Sequence, residues 1–154
     1  MENKRIVICG SMGFYDQMLL VHNSLLNNMI PSVLPADDEE MALKLTNYQF
    51  EDYKRRVSFR YLKTIRDLKT WCVLVINPKK HGISDYIGPN TFAEIAVAFS
   101  NRKKIYLMYD IPSVYEDELQ AWRAISLNGI LDQLISNYNE ICLKDDRQLK
   151  LFPN

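Results

Sequence analysis

Apolar residues fall along this chain in two alternating rhythms. Short, uninterrupted apolar runs, Arg5 to Cys9 (RIVIC), Cys72 to Asn77 (CVLVIN) and Lys104 to Tyr109 (KIYLMY), read as strands buried on both faces. Ser32 to Leu34 and Ala124 to Leu127 read as two shorter strands. Between them the spacing turns helical. Met18, Val21, Leu25, Leu26 and Met29 share one face of a helix from Phe14, which Ile30-Pro31 stops. Phe50, Tyr53, Val57, Tyr61, Ile65 and Leu68 form the inward stripe of a long helix from Phe50. Phe92, Ile95, Ala96 and Phe99 do the same after the turn Gly88-Pro89-Asn90. Val114 to Trp122 and Ile130 to Ile141 are the last two helices, with Leu131, Leu134, Ile135 and Tyr138 inward, and a loose polar tail is expected from Lys144.

Strands alternating with helices imply an α/β fold: a single-domain, three-layer sandwich over residues 1–154 with a parallel sheet. Right-handed crossovers and five strands favour the flavodoxin-like order 2-1-3-4-5. In such sheets ligands bind at the carboxyl ends of the strands, beside the switch between strands 1 and 3. Three loops should meet there: Gly10 to Phe14, Asn77 onward, and Gly88 to Thr91. The candidate substrate-binding residues are therefore Gly10, Ser11, Met12, Phe14, Asn77, Gly88, Asn90 and Thr91.

Composition narrows the picture. At 47% hydrophobic and 25% charged residues the chain reads as globular. Nineteen basic residues balance nineteen acidic ones, so no net field recruits a nucleic-acid polymer or an anionic membrane. The stretch MENKRIVICG is too short in apolar residues for a signal peptide, and no run approaches the ~20 residues of a membrane helix. Cys9, Cys72 and Cys142 have neither disulfide nor metal-ligand spacing, and read as reduced thiols of a cytoplasmic protein. No metal or cofactor is implied. Asp37-Asp38-Glu39-Glu40 suits a helix N-terminus. Lys54, Arg55, Arg56, Arg60, Lys63, Arg66 and Lys69 on the long helix form either a solvated face or one turned toward phosphate or another subunit.

Two local motifs stay open. Gly10-Ser11-Met12-Gly13 is neither a dinucleotide fingerprint nor a P-loop. It is either a strand-to-helix turn with Ser11 as a cap, or a place where backbone N–H groups hold a phosphate or sugar hydroxyl. Thr91-Phe92-Ala93-Glu94 fits a capping box in the first turn of its helix. Alternatively, Glu94 faces the ligand crevice, ionised at neutral pH, as the catalytic carboxylate. Cleaving an N-glycosidic bond needs such a group, because positive charge develops at the anomeric carbon. Asp85 and Asp110 are positional candidates for the acid that protonates the leaving base.

The chain resembles the nucleoside 2-deoxyribosyltransferase-like superfamily, which includes deoxynucleoside 5′-monophosphate N-glycosidases. The resemblance rests on Ile6-Val7-Ile8-Cys9-Gly10-Ser11-Met12, Leu74-Val75-Ile76-Asn77, Tyr86 through Ile95 (YIGPNTFAEI), Lys104-Ile105-Tyr106-Leu107, Asp117-Glu118-Leu119 and Leu127-Asn128-Gly129, in that order. It implies a flavodoxin-like fold and a homo-oligomer whose sites a neighbouring copy commonly completes. It also implies Glu94 as catalytic glutamate, Gly10, Ser11 and Met12 around the sugar or phosphate, and Asn77 near the base or sugar. Where the transferases have an aspartate closing the third strand, this chain has Asn77. Trp71-Cys72, Ala96 and Met12-Gly13-Phe14 also depart from the family pattern. The expected activity is cleavage or transfer at the N-glycosidic bond of a nucleoside or its 5′-monophosphate, as an N-glycosidase or a deoxyribosyltransferase. The alternatives are a non-catalytic nucleotide-binding module and cleavage of a dinucleotide such as NAD.

Overall fold

The first strand, β1 (Arg5–Gly10), sends successive side chains to opposite faces of the sheet. Ile6 and Ile8 enter one core with Met18, Leu25, Leu74, Tyr106 and Leu134. Val7 and Cys9 enter the other with Ile65, Val75, Ile95, Leu107 and Leu119. All these side chains are almost wholly buried, so both sheet faces are covered. A computed structural model, which describes residues 4–37 and 39–151, gives the remaining strands as β2 (Ser32–Val33), β3 (Thr70–Ile76), β4 (Lys104–Leu107) and β5 (Ile125–Ser126). They pair in parallel in the order β2-β1-β3-β4-β5, the flavodoxin-like topology expected from the sequence. Gly10 pairs with Ile76 at close quarters: a Cβ there would stand 3.0 Å from the Ile76 carbonyl oxygen.

The helices are α1 (Tyr15–Asn27), α2 (Glu39–Ala42), α3 (Asn47–Arg66), α4 (Pro89–Ser100), α5 (Glu116–Ala121) and α6 (Asp132–Leu151). Several differ from the sequence expectation for local reasons. α1 ends at Asn27, so Met29 adopts positive φ, and it and Leu26 are exposed. α3 starts earlier than Phe50, at a capping box in which Thr46 and Gln49 exchange side-chain and backbone hydrogen bonds. It stops at Arg66, which puts Leu68 in the following turn, 92% exposed rather than inward. α6 continues through the expected loose tail to Leu151. Of the acidic cluster, Asp38 lies outside the described residues, and α2 begins at Glu39.

Asn77, just past β3, is wholly buried. Its Nδ2 donates to the Asp110 carbonyl at 2.8 Å, and its Oδ1 accepts the Tyr109 N–H at 3.0 Å. One amide thus ties the end of β3 to the chain leaving β4. Removing it leaves the part-buried Tyr109 N–H and Asp110 carbonyl without this partner, at about 1 kcal/mol each. Asn77→Ala is expected to lower the melting temperature by roughly 5 °C or more; an unchanged thermal melt would show that the tie carries no stability.

Candidate functional site

α4 begins at Pro89, and its Gly88 N-cap offers no side-chain cap, so the expected turn is the first turn of the helix itself. Proline suits that position because the first N–H needs no intrahelical partner. Thr91 is consequently inside the helix and buried, and Glu94 lies in the second turn. The Thr91–Glu94 capping box does not form. Instead Thr91, Ile95 and Ala98 face the sheet, while Phe92 and Phe99 stack at the flank against Tyr115 and Trp122. Ala96, expected on the inward face, is only half-buried.

Glu94 thereby points back toward β1. Its Oε2 is sealed from solvent with no hydrogen-bond partner among the described residues. Burial pushes the carboxyl up from the ordinary glutamate range to about 7, against the smaller, opposite effect of a hydrogen bond from the Cys9 thiol. The carboxyl expected to be ionised is therefore about half protonated at neutral pH. Burial also raises the Cys9 thiol well above its usual range, with the Glu94 charge adding to it, which makes Cys9 a poor nucleophile. Tyr61, raised by burial, donates its hydroxyl proton to the Ile8 carbonyl and so pins α3 to β1 beside the carboxyl.

A cavity of about 430 Å³ opens in front of Glu94, within the size range of small-molecule sites. Gly10, Ser11 and Met12 line one side. Gly88, Asn90 and Thr91 from the start of α4 line another, with Tyr86. The third wall comes from α3, through Phe50, Tyr53, Lys54, Val57 and Tyr61. The periodic stripe of α3 thus faces a cavity over most of its length, and of its residues only Ile65 is fully buried.

Of the nine candidate residues, the structure gathers seven around this space: Gly10, Ser11, Met12, Gly88, Asn90, Thr91 and Glu94. Asn77 and Phe14 do not line it. Asn77 is committed to the β3–β4 tie, and Phe14 packs in the core with its ring edge against Tyr86. Neither candidate acid lines it: Asp85 Oδ1 accepts the Asp110 N–H, and Asp110 Oδ1 accepts from Ile111 N–H and the Ser126 hydroxyl. Pattern reading missed the α3 wall as a ligand surface, although its stripe was visible. It also missed Lys80, whose Nζ donates to Ser11 Oγ at 2.6 Å.

No described helix is long and apolar enough to cross a membrane. Comparison with protein-family models, with curated proteins and with solved structures returned no match in any of the three.

Because the carboxyl titrates at about 7 when folded and near 4.5 when unfolded, the folded state holds the extra proton between those values. Stability from this group is fully present below about pH 4.5 and is lost as pH rises through 7, by on the order of 3 kcal/mol. Glu94→Gln removes the charge at nearly the same volume. It is expected to melt higher than the native protein at pH 8 and no higher at pH 4.5. Parallel melting curves across that range would contradict the burial described.

Proposed function

We propose that this protein cleaves, or transfers across, the N-glycosidic bond of a nucleoside or nucleotide, with Glu94 at the anomeric carbon. The observation that carries the reading is a buried carboxyl facing an aromatic-walled cavity with one oxygen unpartnered. A carboxylate oxygen with no donor among the described residues gains most from the positive charge that develops as the glycosidic bond breaks. In the first step a Glu94 oxygen bonds to the anomeric carbon as the carbon–nitrogen pair leaves with the base. In the second, water or another base displaces the glutamate, giving hydrolysis or transfer respectively. The rings of Phe50, Tyr53, Tyr61 and Tyr86 supply apolar walls for a planar base. Resemblance to the deoxyribosyltransferase-like superfamily agrees with this reading. Assembly of several copies belongs to it too, supported by the exposed rings of Phe50, Phe59 and Phe99.

A second reading, a nucleotide-binding module without turnover, is favoured by one fact: Glu94 is the sole carboxylate among the described lining residues. Chromatographic assay of base release from a panel of nucleosides and 5′-monophosphates separates the two. Release is expected from at least one substrate, falling about a hundredfold or more in Glu94→Ala. A nucleophile must be ionised, so kcat/KM should rise with pH through about 7 and then level. Ligand-dependent thermal stabilisation with no base released would favour the binding module.

A further inference from the structure

A base that departs with the carbon–nitrogen electron pair carries negative charge unless a donor protonates it. Neither Asp85 nor Asp110 lines the cavity, and Glu94 is engaged as the nucleophile. Among the described residues the proton must come from another part of the lining. Ser11, Ser58 and Thr91 offer aliphatic hydroxyls, which give up a proton far less readily than a phenol or an ammonium. The phenols and the ammonium of the lining belong to Tyr53, Tyr61, Tyr86 and Lys54. Tyr61 has committed its proton to the Ile8 carbonyl. Tyr53 and Lys54 stand on the half of α3 that buries no side chain fully, and Lys54 is exposed on a flexible stem.

Tyr86 differs from these in being held on several sides. Its backbone N–H donates to the Pro78 carbonyl at 3.2 Å. Phe14 and His81 meet its ring nearly at right angles, at 6.4 and 5.9 Å between centroids. The Lys80 ammonium lies 5.5 Å from the ring centre and is itself fixed by its 2.6 Å bond to Ser11. The hydroxyl lies against Gly88, where a Cβ would stand 3.4 Å from it. The hydroxyls of Tyr61, Tyr106 and Tyr138 are bonded within the fold, whereas that of Tyr86 makes no hydrogen bond among the described residues.

Glu94 follows Gly88 by six positions, roughly 9 Å of helix axis. Helical side chains lean toward the N-terminus, which shortens the gap between the carboxyl and the phenol. An anomeric carbon with its attached base spans a distance of that order. A positive charge beside the ring also stabilises the phenolate left when the proton goes.

We propose that Tyr86 is the general acid that protonates the departing base, with Lys80 as a positioning residue behind it. This rests on the N-glycosidic reading above and supplies its missing proton donor. In the first step a Glu94 oxygen bonds to the anomeric carbon, the carbon–nitrogen pair goes to the base, and the Tyr86 proton follows it. In the second, the oxygen of water bonds to that carbon as the Glu94 bond breaks, and a proton of the water returns to the phenolate. In transfer, the incoming base supplies that proton instead.

The test compares substrates that need the proton with partners that need it less. One pair is 2′-deoxyguanosine and its 7-methyl derivative, whose cationic base leaves neutral; the other is 2′-deoxyuridine and its 5-fluoro derivative. Both nucleosides and 5′-monophosphates are assayed for base release. Tyr86→Phe keeps the ring and removes only the donor. It is expected to lower kcat about a hundredfold on the unmodified member of a pair and less than about threefold on the other, with its thermal melt unchanged. Should Tyr86→Phe fail to fold, Tyr86→Leu carries the same comparison. Equal loss on both members, no loss on either, or the same selective loss in Tyr53→Phe or Lys54→Met overturns Tyr86 and leaves the N-glycosidic reading standing. Release by the native protein from the modified members alone does so too. Release from no substrate sinks both.

Discussion

The approach of β1 to β3 at Gly10 is the constraint on which the site depends. With hydrogen alone on the Gly10 α-carbon, β1 reaches the Ile76 carbonyl without a clash, and the two strands stay in register from Ile6 to Gly10. That register sets which way each neighbour points. Cys9 faces the α4 side and meets Glu94, while Ile8 faces the opposite core. Ser11, one residue beyond the strand, is free to turn toward Lys80. A slip by one residue would exchange the two faces, putting Ile8 under the carboxyl and Cys9 among the side chains of α1.

Against that frame stands a carboxyl in surroundings poorly suited to it. Burial of this kind destabilises the ionised protein and is tolerated only because the two sheet faces are covered by near-continuous apolar packing. The same arrangement prepares the group for chemistry. A carboxylate oxygen already sealed from solvent and without a donor need shed neither before it meets a developing positive charge. Stability and the proposed reactivity thus pull on one side chain in opposite directions.

Much of the fold was legible because buried parallel strands show as unbroken apolar runs, and RIVIC, CVLVIN and KIYLMY stand out against polar flanks. Helix ends were less legible. Gly88-Pro89-Asn90 has the composition of a turn, yet a proline at the first helical position reads the same way, and the choice moved Glu94 from a cap to a seam. The capping signature that does form, Thr46 to Gln49, precedes a polar stretch and carries no apolar run to mark it. Glu94 itself could be singled out because fold topology sends the start of α4 to the ligand edge. What lies opposite a stripe is not encoded in its period, so the α3 residues looked like core. Lys80 had only the expected meeting of its loop with Gly10 to Phe14 to mark it: its contact with Ser11 spans 69 residues, and nothing periodic surrounds it. Asn77 had the right position, but its amide is consumed by backbone groups that only the folded chain brings near.

α3 has a thermodynamic character of its own. Twenty residues long, it buries one side chain fully, Ile65 near its C-terminal end, and is anchored there and through Tyr61. The half that carries Phe50, Tyr53 and Val57 overlies the cavity rather than the core. Helices draw most of their stability from packing, so this half has the low local unfolding free energy characteristic of segments that open ahead of the domain. An occupant of the cavity adds apolar contact to Phe50 and Val57. Occupancy and helix order are then linked quantities.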